Sequence, residues 1–396
     1  MSDEPRGGSP STAYYVNVEG KARAGALLAI AAIHLTVGCD VRIYPFRRAL
    51  ADAAGGSDGS TKFADGSLGD ESLPIPCPDE LVGFAATNGT TGGGSEAPIL
   101  VDASDADAFT KLTTYAGDKM PGPLVIQVNG IITFPGTDDS GASVNEIKVS
   151  SDKTIIGSGQ SSGLTGGGLN LVGSDNIIIK NLVISKARGS DTDAISLNGS
   201  TNIWIDHCDL SSDRNADAGT YDGLVDITHA SDFVTISWTR YHDHDDTGII
   251  GHSDNNGPMD MGTFHITYHH DLFTNVTAGP RVRFGSVHVF NVYFEDVGDY
   301  AVASTMGGLV LIDDTYFKNI PAPGWPVTTN LPDSAAPGYV WFSSNIFDAT
   351  DGVNNLTTLA MQWTPPYSYT PDSVGSVPAL VAACAGTGKT ASAPRD

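Results

Sequence analysis

The sequence predicts an all-β protein folded as a parallel β-solenoid, because one segment shape returns at least seven times between Ile177 and Phe347. Each copy has apolar residues at its first and third positions, a polar or bulky residue at the fifth and an apolar or aromatic residue at the eighth. The copies start at Ile177, Ile203, Val234, Ile266, Val287, Val310 and Val340, so successive starts lie 26, 31, 32, 21, 23 and 30 residues apart. A constant core at irregular spacing means that each copy is one rung and that the length differences sit in loops. Sandwich hairpins would need frequent two-residue turns between strands. A propeller would need a tighter period. Here short strand pairs are followed by long polar loops.

Before the rungs, residues 24–37 (AGALLAIAAIHLTV) form an apolar run behind Lys21 and Arg23. Its length suits the apolar region of a secretory signal and is short for a bilayer span. It begins late, behind an acidic leader, which suggests that translation starts downstream of Met1; a buried helix is the competing reading. Residues 51–75 are rich in Gly, Ser and Asp and read as a linker. The expected division is a leader over 1–76 and a single solenoid domain over 77–396. Cys77 and Cys384 bracket that domain and could pair, closing a long loop, while Cys208 sits beside a rung's core and reads as a buried thiol. The glycine cluster at 89–95 lacks the Lys-Ser/Thr of a phosphate loop and reads as a turn.

The 396 residues carry a formal charge of −25, mostly from Asp, with only 17% charged residues and 46 glycines. Asp and Gly fit a turn-rich β protein. The negative balance argues against nucleic acid or an anionic membrane surface as partner. A polyanionic substrate would depend on local basic residues or a bridging cation. His242, His244, His252, His265, His269 and His270 crowd one stretch, but their spacing matches no zinc site, and alternation along a strand would put His269 and His270 on opposite faces. His207 beside Asp206 lacks a nucleophile elbow. Trp325, Trp341, Trp363, Tyr339 and Tyr367 either stack sugars or pack.

From Leu81 onward the chain resembles the pectate lyases of the right-handed parallel β-helix class. The resemblance is carried by LVGFAATNGTTGG from Leu81, KTIIGSGQ from Lys153, DTDAISLNGSTNIWIDHCDLSSD from Asp191, YDGLVDITHASDFVTISW from Tyr221 and PRVRFGSVHVFN from Pro280. It implies a secreted, monomeric enzyme that cleaves polygalacturonate, the de-esterified backbone of pectin, by calcium-dependent β-elimination. Asp191, Asp193, Asp222 and Asp226 fall at or beside the positions of calcium carboxylates. Calcium takes six to eight oxygens, part of which these would supply. Strand alternation would point both members of Asp191/Asp193 and of Asp222/Asp226 outward. Arg283 matches the arginine that clamps the uronate carboxylate, with Arg281 and His252 as further substrate contacts.

The resemblance also implies two groups that are absent. A proton-abstracting arginine is expected two residues before Pro280, where Ala278 stands, in a loop that counts one residue short. A substrate-binding lysine is expected where the sequence has Asp246. Counted as independent losses, they leave two readings. Either calcium and Arg283 still drive a weakened lyase, with Arg281 the only guanidinium left to act as base, or the chain is a non-catalytic, calcium-dependent pectate-binding protein derived from such lyases. A hydrolase using Asp245 and Asp246 is a distant third.

Overall fold

The computed structural model describes residues 77–390 apart from 138–142, 189–191, 218 and 351–355. The apolar run at 24–37, the linker at 51–75 and Asp191 therefore lie outside the described residues. The seven copies are seven rungs. Their first residues, Ile177, Ile203, Val234, Ile266, Val287, Val310 and Val340, are register partners along one ten-stranded parallel sheet. Their eighth residues, Ile184, Leu210, Tyr241, Phe273, Phe294, Phe317 and Phe347, are partners in a second sheet.

The fifth residue is the corner between those sheets. Asn181, His207, Trp238, His270, Asn291, Asp314 and Ser344 all have left-handed backbones, with φ from 44° to 58°. That conformation costs an L-residue about 1–2 kcal/mol, and it is offset because the bend turns the apolar residues on both sides toward one interior. Asn suits the position intrinsically. Trp238 is held there by stacking on His270 at 4.2 Å. The same bend corrects the expectation for His269 and His270: the strand ends at His269, the left-handed turn breaks the alternation, and the two Nδ1 atoms lie 3.0 Å apart.

The second sheet has sixteen strands and covers two faces, because the strand Tyr293–Thr305 pairs with Leu272–Ala278 on one face and Arg281–Arg283 on the next. The result is a three-sided parallel β-helix, as the repeat predicts. Inside it the rings of Tyr241, Phe273, Phe294, Phe317 and Phe347 stack at successive spacings of 4.3, 4.7, 5.2 and 4.9 Å. The strands Leu124–Asn129 and Lys153–Gly157 extend the first sheet below Ile177.

Both ends of the described chain are tied to the solenoid. The turn at Phe84–Thr87 is seated when the Phe84 and Ala85 amides donate to the Thr267 and Thr235 hydroxyls, each at 3.1 Å. Gly83 permits that approach, since a Cβ there would stand 2.7 Å from both hydroxyl oxygens. The helix Ala108–Ala116 buries Ala108, Leu112 and Ala116 over the first rungs, a cap that stacked repeats require. The helix Val377–Cys384 packs Val377 and Val381 against Tyr293, and Cys384 is disulfide-bonded to Cys77. Cys208 is buried, which pushes its thiol up to about 12. No helix among the described residues is long and apolar enough to cross a membrane.

Candidate active site

The candidate residues gather where the second sheet turns from one face to the other. Asp193 lies just before the strand Ile195–Asn198 and Asp222 just before Val225–Thr228, so strand alternation governs neither of them; only Asp226 is on a strand. Asp193 is buried and accepts from the Gly223 amide at 2.8 Å. Asp226 accepts from the Ile249 amide at 3.1 Å. A Cβ on Gly223 would stand 2.6 Å from Asp226 Oδ1 and 2.8 Å from Asp193 Oδ1. The two carboxylates thus face each other across a gap that only glycine leaves open. Asp222 is exposed, and its carbonyl accepts from His244 Nε2 at 2.7 Å. Because a carbonyl only accepts, Nε2 carries the proton, and Nδ1 accepts a hydrogen bond from the Ser212 hydroxyl. Burial holds His244 below the usual histidine range, which keeps this neutral tautomer.

Burial pushes the Asp193 carboxyl up to about 7, and Asp222 and Glu146 add repulsion. Asp226 is raised by burial and then by Asp193. Asp246 is raised by burial and then by Asp222, against the pull of Arg281 and Arg283. Carboxylates raised together mark a place short of positive charge. Their donors are hard oxygens, suited to a divalent cation such as calcium. Among the described residues no three acidic, histidine or cysteine side chains close on one point tightly enough to hold an ion unaided. Water or an anionic ligand would therefore complete the shell. Beside them opens a cavity of about 290 Å³ lined by Ser212, Tyr221, Asp222, His244, Asp245 and Asp246, among others.

Arg281 and Arg283 stand two rungs beyond Asp226, where Arg281 is the register partner of Ile249. Arg283 donates from Nε to Asp254 at 2.9 Å and from Nη1 to the Gly251 carbonyl at 2.9 Å. Arg281 donates from Nη1 to Asp333 at 2.7 Å, while its buried Nε and Nη2 have no hydrogen-bond partner. Such open donors cost roughly 1–3 kcal/mol each, a cost that an incoming carboxylate would remove. His252 is exposed and its ring stacks on His229 at 5.3 Å; its chain neighbour Gly251 supplies the carbonyl that Arg283 uses. Ala278 is buried with Tyr300, Ala303 and Leu331, against Trp325. Ala278 and Asp246 are register partners on adjacent strands. The two departures from the family pattern therefore stand side by side on adjacent strands. Sequence reasoning weighed His244 only as a zinc candidate, passed over Gly223 inside the Tyr221 motif, and missed the counter-ions Asp254 and Asp333, which stand in no recognisable motif.

The sequence profile of the pectate lyase family matches residues 72–390. A pectate trisaccharide-lyase of Bacillus licheniformis is 36% identical over 314 residues, covering 78% of this chain and 86% of that protein. Pectate lyase plyB of Emericella nidulans is 40% identical over 246 residues, covering 62% and 70%. The crystal structure of a pectate lyase from Bacillus sp. N165 in complex with trigalacturonate matches with a TM-score of 0.68 at 32% identity, over 78% of this chain and 99% of that one.

Proposed function

Because this chain belongs to the pectate lyase family, we propose that it cleaves polygalacturonate by calcium-assisted β-elimination outside the cell. One observation carries the reading: the facing carboxylates of Asp193 and Asp226 lie on the same face of the solenoid as a buried arginine with two open donors, two rungs beyond Asp226. Asp193, Asp222 and Asp226, with Asp191 nearby in sequence, would hold calcium, which when bound neutralises the uronate carboxylate and acidifies the proton at carbon 5. Arg283, fixed by Asp254 and Gly251, clamps the same carboxylate. An arginine fork is suited to this. Arg281, ion-paired with Asp333 at 2.7 Å, adds positive charge to that field and is assigned to binding, not to proton transfer. With Ala278 at the usual base position, the C5 proton passes to hydroxide in the solvent, the bond from carbon 4 to its glycosidic oxygen breaks, that oxygen leaves with the electron pair and takes a proton from water, and an unsaturated uronate results. A missing general base costs about a hundred- to ten-thousand-fold in rate, while the electrostatic contribution remains. Secretion is supported by the disulfide between Cys77 and Cys384, a bond that persists in oxidising compartments.

A second reading, a non-catalytic pectate-binding protein that needs calcium, is favoured by the sealed position of Ala278 beneath Tyr300 and Leu331. Ultraviolet absorbance of polygalacturonate incubated with the protein, first with calcium and then with chelator, separates the two. A calcium-dependent rise supports the lyase. Calcium-dependent binding without a rise leaves the binder.

A further inference from the structure

The loop that lines the cavity brings one more cation to the wall that holds Ala278. Arg214 donates from Nη1 to Asn275 Oδ1 at 2.7 Å, and Asn275 is itself anchored by donating to Asp243. The Arg214 Nη2 lies 3.1 Å from the point where a Cβ on Gly298 would stand, and the Cα of Thr277 lies 3.5 Å from that same point. The guanidinium therefore rests over Thr277, the residue before Ala278, in space that Gly298 leaves free. Thr277 donates to Asp245 at 2.9 Å, and Asp245 lines the cavity beside Asp222 and Asp246.

The chain has a formal charge of −25, and Arg240, Arg281 and Arg283 each have a carboxylate partner. Among the described residues Arg214 has only the neutral amide of Asn275 as partner. That amide fixes the direction of the fork without cancelling its charge, and a guanidinium matches a carboxylate bidentately. We infer that Arg214 supplies the positive charge that positions 246 and 278 lack, by binding a uronate carboxylate of the substrate. The inference rests on the proposed polygalacturonate substrate and assigns Arg214 to binding, not to proton transfer.

The test uses the full chain and two variants, Arg214→Ala and Arg214→Gln. The glutamine variant keeps a donor for Asn275 and loses the charge. Trigalacturonate affinity is measured by calorimetry with calcium present, alongside KM, kcat and thermal melting. The expected result for both variants is an affinity at least tenfold weaker and a KM raised to match, at an unchanged melting temperature. Should the alanine variant fold poorly, the glutamine variant decides. Parent-like affinity in Arg214→Gln would reduce Arg214 to a structural tie of its loop and overturn the inference. A parent that binds trigalacturonate without forming product would overturn the lyase reading alone, leaving Arg214 to be judged on binding. A parent that does not bind would remove both.

Discussion

Replacing Asp193 with asparagine should abolish a pH effect on folding. The Asp193 carboxyl sits at about 7 and its ordinary value is 3.8, chiefly because it is buried. Between these values the folded protein holds a proton that the unfolded chain has released. Stability without metal therefore falls as the pH rises from about 4 to 7, and above 7 the full loss is present. Roughly three pKa units at about 1.4 kcal/mol each set a ceiling of about 4 kcal/mol. Asparagine keeps the oxygen that accepts from the Gly223 amide and carries no charge to bury. In chelator, Asp193→Asn should match the parent near pH 4 and exceed it by up to about 4 kcal/mol near pH 8. Calcium should then raise the parent strongly and the variant little. Urea unfolding followed by tryptophan fluorescence at three pH values, with calcium and with chelator, measures both. A stability difference that stays constant with pH, or calcium stabilising both proteins equally, would refute the reasoning.

Arg283→Ala removes the bonds to Asp254 and Gly251 and should lower product formation about 100- to 1,000-fold, while urea melts show that the solenoid survives. An unchanged turnover would remove Arg283 from the site. Ala278→Arg alone should destabilise by about 1–3 kcal/mol through overpacking against Tyr300 and Leu331 and should not raise turnover; a tenfold gain would show that the position is open. Because no side chain at 278 takes the proton, log rate with calcium saturating should climb with pH through the neutral and alkaline range, by about tenfold per unit. A bell-shaped profile centred near neutrality would instead expose a protein base.

The rungs were legible because burial repeats. Every first and eighth residue of the seven copies became a register partner, and the corner residue took a left-handed backbone in each. The earlier rungs were hidden by their loops. After Lys153 the expected eighth residue would be Gln160, but the second-sheet partner is Leu164, because residues 158–162 intervene. The helices Ala108–Ala116 and Val377–Cys384 follow no repeat, so periodicity was silent about them. At the site, the acidic and basic residues could be named from motif position. Their partners could not: Asp333 lies 52 residues from Arg281, and Arg214 lies 61 from Asn275. Nor could sequence alone show that Asp246 and Ala278 touch the same strand boundary, since 32 residues separate them and only register joins them.

The left-handed corner has a consequence for how such a molecule changes over time. It fixes where each rung bends at one edge, while the reactive groups occupy another. Ala278 closes the strand Leu272–Ala278 before a connection that reads one residue short, yet Val282 still meets Ile250 on one side and Ser304 on the other. Architecture and reactivity are thus inherited on separate edges of the same prism. A lineage can shed, move or rebuild its proton-handling groups without disturbing a single stacked ring, so the shape of such a protein is a conservative character and its turnover a labile one.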